Sequence, residues 1–155
     1  MGIRFFTFFA LLWLALPFGM GASANGALPY NQRLFVTTLD GRTLTLSVDV
    51  ADSPEKQAQG LMFVKSMPPK SGMVFPMRPP RRAQFWMRNT LIPLDMIFIL
   101  PGGTIGQIET RRDTQSDRTT SSLGPVSGVL ELNAGEAEAL NIGIGDRVRM
   151  NGVVF

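Results

Sequence analysis

The chain contains no cysteine and no histidine. Disulfides, thiolate nucleophiles, Cys/His zinc centres, Ser-His-Asp triads and imidazole acid–base chemistry are therefore excluded. Tyrosine occurs once, at Tyr30, and only 17% of the residues are charged. Carboxylates, Lys, Arg, Ser, Thr and Met remain as carriers of chemistry. Long apolar runs are missing too. The longest, Phe5 to Met20, contains Thr7 and is interrupted by Pro17 and Gly19. A membrane-spanning helix needs roughly 20 apolar residues, and Pro17 would kink the end of one here.

What is present at the N-terminus has the layout of a secretory signal. Arg4 supplies the positive charge, Phe5 to Met20 the apolar stretch, and Ala22-Ser23-Ala24 a small-x-small cleavage site. The expectation is a signal peptide over 1–24, a tether over 25–32 and one domain over 33–155. The product is expected to be exported, periplasmic or secreted, with no stable transmembrane span after cleavage. An uncleaved N-terminal anchor is the alternative. Without cysteine it carries no lipid-modified N-terminus and no disulfide staple, so its core alone must hold it.

Turn and cap chemistry divides the rest. Asp40-Gly41, between Arg33–Leu39 and Thr43–Val50, predicts a hairpin. Asp52-Ser53-Pro54 starts a helix expected to reach about Met62. Gly72–Met77 reads as a short apolar piece and Arg78-Pro79-Pro80-Arg81-Arg82 as a stiff basic loop. Strands are expected at Gln84–Met87, Met96–Leu100, Thr104–Thr110 and Val129–Leu132. Thr110–Ser122, with no apolar residue, reads as a long exposed loop. Asn133 and Glu136 have capping-box spacing, and Arg147–Met150 and Val153–Phe155 read as a last strand pair. The fold class is a small β-rich α+β domain of six to eight short strands, barrel-like, with two short helices.

Three constellations could carry chemistry. Six of the seven methionines after the leader lie between Gly60 and Leu100. Thioethers suit Cu(I), which makes Met73, Met77 and Met87 a metal alternative; the plain alternative is flexible core filling. No acidic residue occurs between Lys56 and Asp95, while Arg81, Arg82 and Arg88 lie there beside Phe85 and Trp86. Such local charge attracts anions, or forms a solvated rim. Finally, Asn89 and Asp95 stand among Trp86, Met87, Leu91, Ile92 and Leu94. They either pin a turn through local backbone bonds or, for Asp95 with Glu131, supply a carboxylate pair. Nothing in the spacing brings those two carboxylates together.

Gly60-Leu61-Met62-Phe63, Gly72-Met73-Val74-Phe75 and the string from Phe85 to Phe98, with Val129–Gly135 and Gly143–Asp146 further on, resemble the successive blocks of the domain of unknown function 192 family. The resemblance spans about Leu34 to Val154. Family members often carry Arg next to the first block, where this chain has Gln59 and Val64. The resemblance implies one compact β-rich domain, often exported, with no assigned activity.

The leading expectation is an exported binding or accessory module of the cell envelope. Trp86, Met87, Asn89 and Asp95 would line its groove, and Arg81, Arg82 and Arg88 would rim it. Its partner would be an anionic or carboxylate-bearing envelope component, held by charge-assisted hydrogen bonds. No cofactor and no nucleic acid are expected. The rival is a hydrolase using Asp95 or Glu131, with an Arg stabilising developing negative charge.

Overall fold

The turn at Asp40-Gly41 forms as the sequence predicts in the computed structural model, which describes residues 28–155. Gly41 adopts φ 86°, and Thr38 donates its N–H to Arg42 O at 2.9 Å. The turn joins β1 (Gln32–Thr37) to β2 (Thr43–Val50) in antiparallel register, Thr37 opposite Thr43. Leu46 and Val48 are fully buried, as their alternation requires. The residues of the expected signal peptide, 1–24, lie outside the described part. Leu28 and Tyr30 of the expected tether pack against the core instead of hanging free, and β1 takes its last residue, Gln32.

After β2 the chain crosses over through α1 (Pro54–Gln59) to β3 (Ser71–Phe85), which lies parallel to β2. Ser53 caps α1, accepting the Lys56 N–H at 3.2 Å, with Pro54 in the first turn. The helix stops three residues before Met62 because Gly60 takes φ 50°. Beyond it lie β4 (Leu94–Ile99), β5 (Ile105–Arg111), β6 (Thr120–Asn133), α2 (Glu136–Ala139) and β7 (Arg147–Met150). The sheet order is β5-β4-β6-β3-β2-β1-β7. The sheet curls until its two edges meet, where Thr104 bridges Arg147 and Val148 donates to Gly103 O at 2.7 Å.

Four expectations are corrected. The apolar piece at 72–77 and the basic loop at 78–82 are one 15-residue strand, β3, with register shifts between Pro76 and Arg81 that absorb the two prolines. The exposed loop shrinks to 112–119. Arg111 ends β5 with 2% exposure and Thr120 opens β6. Asn133 is the last residue of β6 rather than a cap: Gly135 holds the cap position of α2, and the Asn133 amide donates to Met67 O at 3.1 Å. The final strand pair reduces to β7 and a single bridge, Met150 to Val153.

The sheet has two cores. The inner one takes residues from every strand, among them Leu34, Leu46, Val74, Ile97, Ile105, Leu130 and Val148, and Ala137 of α2 plugs one end. The outer one covers β3, β4 and β6 with Met73, Phe75, Met96, Phe98 and Val129. Its lid is the segment after α1 (Leu61, Val64, Met67) and the turn after β3 (Met87, Ile92). Since β6 is buried on both faces, Val129 to Leu132 form a continuous apolar run interrupted only by Glu131.

Candidate functional site

The outer core does not seal completely. A cleft of about 270 Å³ opens between the end of α1 and β3. Leu61, Met62, Phe75, Met77 and Phe85 give it apolar walls, Arg81 and Arg82 stand in its lining as exposed side chains, and Trp86 lies at its edge. Gly60 also lines it at φ 50°. A Cβ there would come within 3.3 Å of Phe75 Cζ, so a side chain at this position would press on the cleft wall.

Glu131 reaches the same cleft from β6. It is 4% exposed, between Met73 of β3 and Met96 of β4 in the ladder. Burial pushes its carboxyl up to about 8, with no hydrogen bond or charge among the described residues offsetting the loss of water. At neutral pH it is chiefly a neutral acid, able both to donate and to accept a hydrogen bond.

Arg81 is held in place. The Gln57 amide nitrogen donates to Ala51 O at 3.2 Å and Pro76 O at 3.0 Å, while its oxygen accepts from Arg81 Nη2 at 3.2 Å. The guanidinium is thus oriented with no carboxylate among the described residues neutralising it. Arg88 differs: it pairs with Asp117 at 2.7 Å and lies 4.3 Å over the Trp86 ring. The pairing lifts the Arg88 guanidinium above its ordinary range and lowers the Asp117 carboxyl.

The groove read from the sequence is therefore redrawn. The structure brings Arg81, Arg82, Trp86 and Glu131 together. Met87 is fully buried in the outer core. Asn89 is exposed, adopts φ 55°, and its carbonyl accepts the Phe63 N–H at 2.9 Å. Asp95, 1% exposed, faces the inner core's side of β4. It accepts from Thr110 Oγ1 at 2.6 Å and from the Ala137 N–H at 2.9 Å. It pins β5 and α2 rather than its own turn. Met73 and Met77 are 2% and 4% exposed, and both pack in the outer core. Sequence reasoning missed Gln57, Gly60 and Phe75. The cap at Ser53 located Gln57 on a helix, but nothing in the order of residues placed that helix against Arg81.

Two larger depressions are more open. One, of about 590 Å³, includes Asp49, Arg78 and the Lys56–Asp52 ion pair; the other, of about 670 Å³, lies between Phe35, Arg149 and Phe155. Among the described residues no helix is long and apolar enough to cross a membrane.

The chain matches the model of the DUF192 family, described as Uncharacterized ACR, over residues 35–150. No curated protein matches it significantly. The solved structures similar to it include two that can be compared directly. One is a Sinorhizobium meliloti 1021 protein named provisionally as a transcription regulator: 40% identity, TM-score 0.76, covering 79% of this chain and 95% of that one. The other is a protein of unknown function from Novosphingobium aromaticivorans DSM 12444: 36% identity, TM-score 0.72, covering 76% and 83%.

Proposed function

We propose, for a chain that belongs to the DUF192 family, that it is a binding module for a small anionic, carboxylate-bearing ligand, seated in the cleft between α1 and β3. The observation that carries this reading is Arg81. Its guanidinium is positioned by Gln57, left without a carboxylate partner among the described residues, and set beside Arg82 over a cleft with one apolar wall. Guanidinium groups match carboxylates in both charge and geometry. The volume, a little below the usual ligand-pocket range of roughly 300–1,000 Å³, suits a small molecule or the end of a larger one. The leader at residues 1–24 would deliver the module to the cell envelope. Recovery of the protein from the periplasm with Asn25 at its N-terminus checks that part.

The provisional name of the Sinorhizobium protein favours no second reading. The longest described helix here has six residues, too short for a recognition helix in a major groove. A hydrolase would draw on Glu131 alone, since Asp95 lies across the sheet.

Residues 28–155 are the unit to test, because the Sinorhizobium chain consists almost entirely of this domain. Trp86 is then the one tryptophan, Trp13 being in the leader. Titration with hexanoate, a carboxylate on an apolar tail, should change Trp86 fluorescence saturably. Arg81→Ala and Arg82→Ala should weaken the response. No saturable change, or one indifferent to both substitutions, rejects the reading.

A further inference from the structure

Glu131 is the feature of the cleft that an anionic ligand leaves unexplained. A buried carboxyl normally has partners. Asp95 has a hydroxyl and a backbone N–H, and Asp146 accepts from Leu39 N at 2.9 Å and Gly143 N at 2.8 Å. Glu131 has neither among the described residues, is 4% exposed, and lines a cleft with an apolar and aromatic wall. We infer that the cleft takes a ligand with two charged ends, an alkyl chain whose primary ammonium meets the Glu131 carboxylate while its carboxylate meets Arg81 and Arg82. This rests on the binding reading above and names the chemistry of the other end of the ligand.

Each part of the cleft has a counterpart in such a molecule. Leu61, Phe75 and Met77 accommodate methylenes. Phe75 and Phe85, whose centroids are 5.0 Å apart edge to face, line the same space and offer an aromatic surface to a cation. The arginines and the single carboxyl lie at the exposed and buried extremes of the same lining. The arrangement selects against a simple amine, which meets two like charges at Arg81 and Arg82, and leaves Glu131 unsatisfied by a simple alkanoate.

Binding is coupled to a proton. Met73 of β3 and Met96 of β4 flank Glu131 in the ladder, and the charged and polar side chains that share the cleft with it are Arg81, Arg82, Gln57, Gln59, Gln84 and Thr90. No other titratable carboxyl or amine lines the cleft among the described residues. An ammonium arriving there stabilises the ionised carboxylate, so Glu131 gives up its proton to solvent as the ligand seats.

The test is calorimetry of residues 28–155 at pH 7 in two buffers of different ionisation heat. The probes are the ω-aminocarboxylates from β-alanine to 6-aminohexanoate, each beside the alkanoate of equal length. One aminocarboxylate should bind at least roughly tenfold more tightly than its alkanoate, the gain expected of a buried charge-assisted contact. It should also release most of one proton per ligand. Glu131→Gln should remove the advantage and the proton release while retaining alkanoate binding. Proton release in the wild type needs no variant, so misfolding of the variant would not rescue the claim. A peptide ending in lysine that binds with the same proton release, where the free aminocarboxylates do not, supports the chemistry and assigns its source to a peptide. Alkanoates binding as tightly as every amine-bearing probe, without proton release, overturn this inference and leave the anion-binding reading standing. Binding of neither class overturns both.

Discussion

Asp95 and Glu131 lie on neighbouring strands, offset by one register position and facing opposite sides of the sheet. Asp95 is opposite Leu132 and Met96 is opposite Glu131. Because side chains alternate along a strand, this offset sends Asp95 toward the inner core and Glu131 toward the outer. Two acidic residues that read alike in the sequence thus have separate fates, one fully bonded and one open to a cleft.

Asp95→Ala should be strongly destabilising. It removes the acceptor of both the Thr110 hydroxyl and the Ala137 N–H, leaving the exposed hydroxyl to water and the buried N–H unpaired. An unpaired buried donor costs about 1–3 kcal/mol, so urea denaturation should show a loss of that size. Hexanoate affinity measured below the transition should be unchanged, since Asp95 is on the other face.

Glu131 should make the fold less stable as pH rises. Its carboxyl is held up to about 8 in the folded state against an ordinary 4.5. The folded chain therefore keeps a proton that the unfolded chain has already lost. Stability is full below 4.5, declines as pH rises, and levels off above about 8. At about 1.4 kcal/mol per pKa unit, the decline amounts to roughly 5 kcal/mol at most. Urea midpoints at pH 5 and pH 8.5 should differ in the wild type, and Glu131→Gln should flatten the dependence.

Arg111 anchors the 112–119 segment. Nearly all its side chain is buried, and it bonds Asp113 twice, at 2.8 and 2.9 Å, Thr120 Oγ1 at 2.6 Å and Arg118 O at 3.0 Å. These bonds hold the Asp113 carboxyl far below its ordinary range. The segment also docks on the turn after β3, where Met87 donates to Ser116 O at 2.9 Å. Arg111→Met should speed amide hydrogen exchange at Met87 and Gln115 more than at β1 and β2, whose hydrogen bonds lie elsewhere in the sheet. Uniform acceleration would show that the segment has no independent anchor.

Gly60→Ala tests the cleft wall. The new Cβ would sit 3.3 Å from Phe75 Cζ at a backbone φ of 50°. A modest loss of stability, about 1 kcal/mol, should accompany weaker hexanoate binding. The thermal midpoint and the Trp86 titration report the two effects separately.

The parts of the fold that were legible in the sequence are those set by local chemistry. Asp40-Gly41 specified its turn and Ser53-Pro54 its helix start, because caps and turns act over a few residues. Pro79 and Pro80 concealed the length of β3, since a proline normally argues against a central strand and the register shift that accommodates it is a tertiary matter. The polar run from Thr110 concealed Arg111, whose burial depends on Asp113 and Thr120 folding back upon it. Glu131 did leave a signal, a single charge within an apolar strand, yet only the register shows which face it occupies. The Gln57–Arg81 contact, 24 residues apart in the chain, had no local trace.

The most direct test of the cleft as the binding site is a set of backbone amide and Trp86 indole spectra of residues 28–155 during a hexanoate titration. Saturable shifts are expected at Gly60, Leu61, Met62, Ala83, Phe85, Trp86 and Glu131, with the depression around Asp49 and Arg78 unmoved. Shifts centred on that depression, or none at saturating hexanoate, would contradict it.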